Sequence, residues 1–158
     1  MTGVRSATAA DYSAFLELNS QVHQIHAKNY PAYFKPAAHV SEAEFNRFIS
    51  TPDVHILIGH ENLKVWGYAF FEVWRQNETP FSHAVTSLYL RQIAVDASCR
   101  RGGHGRKLLE SVIASAREQK IQKIELDCWA FNQDAISFFR RCGFALMKER
   151  LHLDIATT

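Results

Sequence analysis

The chain has 158 residues and a mass of 18.0 kDa, with 47% apolar and 22% charged residues. This is ordinary globular usage and enough for one domain with a sizeable core, which excludes a disordered tail, a collagen-like fibre and a disulfide-bound mini-scaffold. Eighteen Lys and Arg against sixteen Asp and Glu leave a formal charge of +2, too small an excess to argue for nucleic acid or an anionic membrane as the main partner.

From the N-terminus, Val4 to Ala7 reads as a short strand, with Thr8 as the N-cap of a helix running from Ala9 to about His26. That helix carries Phe15, Leu18, Val22, Ile25 and His26 on one stripe. Tyr30-Pro31 ends it in the aromatic connection YPAYFKP, and Ser41-x-x-Glu44 is a capping-box signature opening a second helix through Phe45, Phe48 and Ile49. VHILIGH (54–60), KVWGYAFFEVW (64–74) and HAVTSLYLRQIAV (83–95) then read as three strands of an antiparallel meander, the first two parted by a polar break containing Asn62. Gly102 to Gln119 has the spacing of an amphipathic helix, through Leu108, Leu109, Val112, Ile113 and Ala116. IELDC (124–128) alternates as a strand, Asn132 to Cys142 is a short helix closed by Gly143, and ALMKERLHLDI (145–155) alternates again as a last strand closing the sheet.

The expected order is βααβββαβαβ over residues 1–158 as a single domain of α/β (α+β) class. It is a mixed, mostly antiparallel sheet with one β-α-β crossover. A crossover makes a locally parallel pair, and parallel neighbours open a ligand crevice beyond their carboxyl ends. The places to search are therefore the segments after Val95 and after Cys128. Cys99, Cys128 and Cys142 form no C-x-x-C pair and are expected as small core residues in a reducing compartment. The opening MTGVRSATAADY has no apolar h-region, and no window approaches 18 uninterrupted apolar residues, so a cytoplasmic location is expected.

After Val95 the chain reads D-A-S-C-R-R-G-G-H-G-R-K-L-L, placing Gly102, Gly103 and Gly105 between a strand and a helix. Glycines there let backbone amides approach a ligand, and the helix start adds partial positive charge. Arg100, Arg101, His104, Arg106 and Lys107 crowd the same stretch, so the segment asks for a polyanion, most simply a pyrophosphate. A Walker loop is excluded by spelling, because no glycine precedes Lys-Ser or Lys-Thr here. A dinucleotide fingerprint is weak: Gly103-His-Gly105 supplies two glycines, but Leu108 stands at the third position. Glu125 and Asp127 do sit at about the right distance for its ribose contact.

These residues resemble the GNAT superfamily of acyl-CoA-dependent N-acetyltransferases. Arg100-Arg101-Gly102-Gly103-His104-Gly105 fits its [Q/R]-x-x-G-x-[G/A] loop. The stretch from Asn132 through Ala135, Phe138, Phe139 and Gly143 to Phe144 resembles its N-x-x-A-x-x-F-Y-x-x-x-G-F segment. The resemblance implies acetyl-CoA as co-substrate, no metal, and two strands (88–95 and 124–128) splaying around the pantetheine arm. It implies that the backbone of Ile93, Ala94 and Val95 pairs with pantetheine amides, and that main-chain N–H groups of Arg101 to Arg106 hold the pyrophosphate. Asn132 would reach the arm, and Phe139 and Arg140 would border the thioester end and the adenine side. The alternating last strand is a candidate dimer edge, as in many relatives.

Two departures bear on chemistry. Arg101-Gly102 inverts a common Arg-Gly-x-Gly spelling, and Phe139 replaces a Tyr that in many relatives protonates the departing thiolate. Losing that acid is tolerable: a thiol of pKa about 8.5 costs only about 2 kcal/mol to release as thiolate near neutrality. An alkylammonium of pKa about 10.4 is neutral about once in several thousand molecules, so deprotonating the acceptor is the larger demand. Many relatives place a Glu two residues before the Ile93 position, but Arg91 stands there. Tyr89, on the face of Arg91 and Ile93 if alternation is unbroken, is the candidate proton relay through water, with Glu72 more remote. The Ile93 N–H, near a strand distortion typical of the family, is the candidate oxyanion donor.

The implied reaction is acetyl transfer to a primary amine of a small molecule or peptide, by direct attack in a ternary complex. The alternative is a catalytically silent acyl-CoA-binding module. His23 and His26 lack a third ligand for a metal. Tyr30, Tyr33 and Phe34, with Lys28 and Lys35, are candidate walls of an acceptor pocket, and Trp66 and Trp74 are expected in the core.

Overall fold

A computed structural model describes residues 2–155. The chain divides between Asp127 and Cys128 into two compact units.

The first unit holds the sheet. Strand β1 (Thr2–Ser6) leads into a 3-10 turn at Ala9–Asp11 and helix α1 (Tyr12–Asn29), followed by helix α2 (Glu42–Ser50). Strands β2 (Val54–Glu61), β3 (Lys64–Gln76) and β4 (Val85–Val95) form the meander, helix α3 (His104–Glu118) makes the crossover, and β5 (Ile124–Glu125) ends it. The sheet order is β1-β2-β3-β4-β5, antiparallel up to β4 and parallel between β4 and β5.

Local chemistry explains the helix starts. Ser41 Oγ accepts from the Glu44 amide, while the Glu44 carboxylate accepts from the Ser41 amide, completing the expected capping box. Thr8 caps the 3-10 turn through Asp11, whose carboxylate accepts from both the Thr8 amide and its hydroxyl.

The same carboxylate is gripped by Arg5 at 2.7 and 2.8 Å. Asp11 is buried, and the Arg5 hydrogen bonds hold its pKa down at about 2 against the opposing effect of burial. Because the unfolded chain binds this proton more readily, the stabilisation is complete above about pH 4, the ordinary carboxylate range. It is lost as pH falls toward 2. Arg5 is half exposed and its field partly screened, which reduces the contribution to about 1–2 kcal/mol. Asp11→Asn is expected to flatten the acid limb of the stability–pH curve between pH 4 and 2, read by urea unfolding at stepped pH. An unchanged slope would show that Arg5 does not hold this carboxylate.

Helices α1 and α2 cover one face of the sheet: Phe15, Leu18 and Phe45 pack with Ile56, Ile58, Tyr68, Phe70 and Ala94. Helix α3 covers the other with Leu108, Leu109, Val112 and Ala116 buried. Its Leu108 lies close to Gly67, the neighbour of Tyr68 in β3 and therefore on the opposite face. Ile25 is exposed, contrary to the expected stripe, because the buried part of α1 stops at Leu18. Trp66 is buried as expected, whereas Trp74, near the end of β3, is 47% exposed.

The second unit holds helix α4 (Gln133–Arg141). Gly143 (φ +95°) is its C′ residue. The amides of Gly143 and Phe144 donate to Arg140 O and Phe139 O, both at 3.0 Å, which is the Schellman pattern.

One expected element does not form. Residues 145–155 carry no strand, and Leu146, Met147, Leu151, Leu153 and Ile155 are exposed. Alternation assigns side chains to two faces but supplies no hydrogen-bonding partner, and without a neighbouring backbone a strand leaves its own polar groups unpaired.

Candidate active site

Strand β4 positions the site through an irregularity. Phe71 pairs with Leu90 and Phe70 with Gln92, so Arg91 is an extra residue in β4. Such a bulge shifts the alternation that follows it. Tyr89 lies opposite Glu72 and shares the face of Phe70, whereas Ile93 lies opposite Ala69 and faces the other way. The expected common face for Tyr89, Arg91 and Ile93 is thereby corrected. Arg91 stays with Tyr89: its guanidinium pairs with Glu72 at 2.7 Å and sits 5.5 Å from the Phe70 ring centroid. The bulge is fixed from the core side. Asn19 of α1 donates to Gln92 (2.9 Å) and to the Tyr68 hydroxyl (3.1 Å), and Tyr68 donates to Gln92 as well. Burial pushes the Tyr68 phenol well above its usual range, so it remains a donor.

The far edge of β4 opens in the same region. β5 pairs with it only at Leu88↔Ile124 and Tyr89↔Glu125. From Leu90 to Val95, β4 has no strand neighbour on that side among the described residues. The expected strand 124–128 is thus cut to two residues, Ile124 and Glu125, the only ones with a registered partner in β4 among the described residues. Ile93, Ala94 and Val95 lie on the unpaired stretch.

Strand β4 then delivers the glycine-rich loop. The Asp96 amide donates to Trp66 O (2.9 Å), and the Asp96 carboxylate accepts from the Ser98 amide (2.8 Å) and from Gln21 (3.2 Å). The chain passes through a 3-10 turn at Ala97–Cys99 to Gly103, which caps α3 in the left-handed conformation with φ +78°. Helix geometry leaves the first amides of α3, those of His104, Gly105 and Arg106, without intrahelical acceptors. His104 braces the loop, with Nδ1 at 2.9 Å from Cys99 O and its ring centroid 4.5 Å from that of Trp66. Gly102 is required there, since a Cβ would come 2.9 Å from that imidazole. Arg100 folds back so that its Nε donates to Val95 O at 3.2 Å.

Arg101 also adopts a left-handed backbone, with φ +66°. That conformation costs a non-glycine residue about 1–2 kcal/mol. Arg101→Gly is expected to raise stability by about 0.5 kcal/mol, the strain relieved less the entropy glycine loses on folding. Thermal melts check the sign, and a lower melting temperature would mean that the arginine side chain outweighs the strain.

Tyr89 donates to Asp127 Oδ2 at 2.8 Å. Partial burial and this carboxylate push the phenol up to about 12, so it keeps its proton at neutral pH. From sequence, Asp127 is legible only as a ribose contact of a dinucleotide site; its place two residues beyond Glu125 on an alternating segment is the signal that points to the Tyr89 pairing.

Around α1, His23 Nε2 lies 2.6 Å from Lys35 O and the His26 ring is 5.1 Å from Phe34. Tyr30 and Tyr33 stack at 5.8 Å. A cavity of about 670 Å³ between α1 and residues 36–39 is lined by His23, Lys28 and His39 among others; Tyr30, Tyr33 and Phe34 are not among its lining residues.

In the second unit, Asn132 caps α4 by accepting from the Ala135 amide at 3.3 Å. Phe139 is buried between Phe138 and Phe144, and Arg140 is exposed.

A family model described as acetyltransferase (GNAT) family matches residues 19–144. Among curated proteins none matches this sequence. The structure is similar to the BH1408 protein from Bacillus halodurans, seen as a tetramutant, with TM-score 0.91, 25% identity, and 97% and 99% of the two chains covered. It is also similar to an aminoglycoside antibiotic 6'-N-acetyltransferase from Acinetobacter haemolyticus (TM-score 0.74, 14% identity, 99% of both chains). A third likeness is to glucosamine-6-phosphate N-acetyltransferase from Arabidopsis thaliana (TM-score 0.71, 18% identity, 99% of both chains).

Proposed function

The chain belongs to the acetyltransferase (GNAT) family, and from that premise we propose that it moves an acetyl group from acetyl-CoA to a primary amine of a small molecule or peptide, by direct attack in a ternary complex. The observation that carries this reading is the run from β4 to α3. An edge that, among the described residues, has no strand neighbour on its β5 side from Leu90 to Val95 leads directly into a loop whose Gly103 turns left-handed to open a helix.

The amides of Arg101 to Arg106 grip the pyrophosphate, where a helix start favours negative charge. Backbone groups of Ile93, Ala94 and Val95 pair with the pantetheine arm as a substitute strand. The Ile93 N–H, two residues past the bulge at Arg91, polarises the thioester oxygen. The family resemblance supports assigning Asn132, Phe139 and Arg140 to the cofactor. Phe139 has no proton to give, so the thiolate leaves without a side-chain acid from that position.

That residues 1–158 act as one N-acetyltransferase domain is supported by the family match, which runs across the boundary between the two units. No helix among the described residues is long and apolar enough to cross a membrane. The proposed setting is cytoplasmic, with the exposed alternating segment 145–155 as the edge of a homodimer.

Incubation with acetyl-CoA and a panel of amines, followed by free-thiol detection, tests the activity. Amine-dependent thiol release is expected. Cofactor binding without turnover on any amine would favour a silent acyl-CoA-binding module, for which Phe139 and the absence of a glutamate at position 91 speak.

A further inference from the structure

Tyr89 and Asp127 join β4 to the chain leaving β5 at the point where those strands part. Tyr89 is the last β4 residue with a β5 partner, Glu125, and Asp127 follows two residues later, on the same side by alternation. Asp127 lies past the last registered pair, and its 2.8 Å hydrogen bond with Tyr89 sets its carboxylate beside that phenol, four residues before Ile93 on β4. Three carboxylates gather at this end of the sheet, and their partners differ. Glu72 is held by Arg91 at 2.7 Å and Glu125 by Lys123 at 3.0 Å. Asp127 is solvent-exposed and is held by a neutral phenol.

Resting on the transferase reading above, we infer that Asp127 is the group that receives the acceptor's ammonium and takes its proton, and that Tyr89 is the positioning residue that aims it. An N–H bond of R-NH3+ breaks as an O–H bond forms on Asp127. The nitrogen lone pair then forms the C–N bond to the thioester carbon. On collapse the C–S bond breaks with its electron pair going to sulfur. Asp127 returns its proton to that sulfur through water, and the second nitrogen proton goes to solvent. The net reaction is R-NH3+ plus acetyl-CoA giving R-NH-acetyl, CoA-SH and H+. Bound substrates displace bulk water from the gap, which favours the neutral amine over its ammonium form. The phenol cannot serve as the base itself, because it holds its proton to about pH 12. The inferred acceptor is therefore a cationic alkylamine rather than a weakly basic one.

The test measures kcat/KM for wild type, Asp127→Asn and Tyr89→Phe with putrescine, free lysine and a short peptide N-terminus, and with weakly basic hydroxylamine. Asp127→Asn is expected to lose at least about a hundredfold on the alkylamines, the ordinary scale of general base catalysis. It should lose less than threefold on hydroxylamine, which is already neutral at pH 7. The alkylamine deficit should shrink as pH approaches the amine's own pKa; Glu72, Arg91, Glu125 and Lys123, the other charged groups at this end, are unchanged in the variant. Tyr89→Phe is expected to lower kcat about three- to tenfold with little change in KM, as one hydrogen bond is lost.

Equal losses on both amine classes, or an Asp127→Asn variant within threefold of wild type on alkylamines, would overturn the assignment and leave the transferase reading standing. Acetyl-CoA binding, read as a thermal shift on the same samples, separates the two levels. If wild type binds it yet acetylates no amine, the transferase reading fails and takes this inference with it.

Discussion

Gly103→Val is expected to weaken acetyl-CoA binding at least tenfold, which is about 1.4 kcal/mol or more. Two effects act together. Gly103 holds φ +78°, and a β-branched residue is a genuine outlier in that region, so the loop must distort to accept valine. In addition, a Cβ there meets no protein atom within 4 Å; it projects into the open space before the first amides of α3, where the pyrophosphate is proposed to lie. Calorimetric titration with acetyl-CoA gives the affinity, and circular dichroism confirms that the variant is folded. Gly103→Ala carries the φ strain with less bulk and should fall between wild type and valine. Undiminished affinity in a folded Gly103→Val protein would mean that the pyrophosphate loop lies elsewhere.

Gly67→Ala is expected to cost about 2 kcal/mol of stability, lowering the melting temperature by roughly 4–8 °C, and to weaken acetyl-CoA binding as well. Gly67 has no special backbone angle; its constraint is close approach. A Cβ would come 2.6 Å from Ala94 O and 3.1 Å from Leu108 Cδ1. A backbone carbonyl cannot rotate aside as a side chain does, so β4 must move at Ala94 and Val95, the residues proposed to pair with pantetheine. A packing defect without consequence for the cofactor would lower the melting temperature alone. Loss of affinity in proportion to the displacement of β4 is what distinguishes the proposed role. A variant as stable as wild type and of equal affinity would contradict the packing described for β3 on β4.

Much of the fold was legible because it is fixed by short-range chemistry. The Ser41–Glu44 box, the Thr8 cap and the Gly143 terminus each satisfy orphan backbone groups with residues a few positions away, and sequence spacing displays that directly. The glycine-rich loop was legible for the same reason. What sequence hid was register. An extra residue at Arg91 is invisible in the alternation of LYLRQIAV, yet it turns Ile93 to the face opposite Tyr89 and so separates two residues that spacing alone had put together.

The segment 145–155 failed in a different way: its pattern is that of a strand, but pattern carries no information about which backbone lies beside it. The Tyr89–Asp127 hydrogen bond joins residues 38 apart in sequence, and only the parallel pairing of β4 with β5 brings them together. Glu72 looked available as a remote base because the sequence did not reveal that Arg91 lies across from it.

Determination of the structure with coenzyme A bound locates the cofactor outright. The diphosphate is expected against the amides of residues 101–106, with the pantetheine arm running along the β5-side edge of β4 past Val95, Ala94 and Ile93. Coenzyme A found on another surface, or its diphosphate away from the start of α3, would contradict this placement.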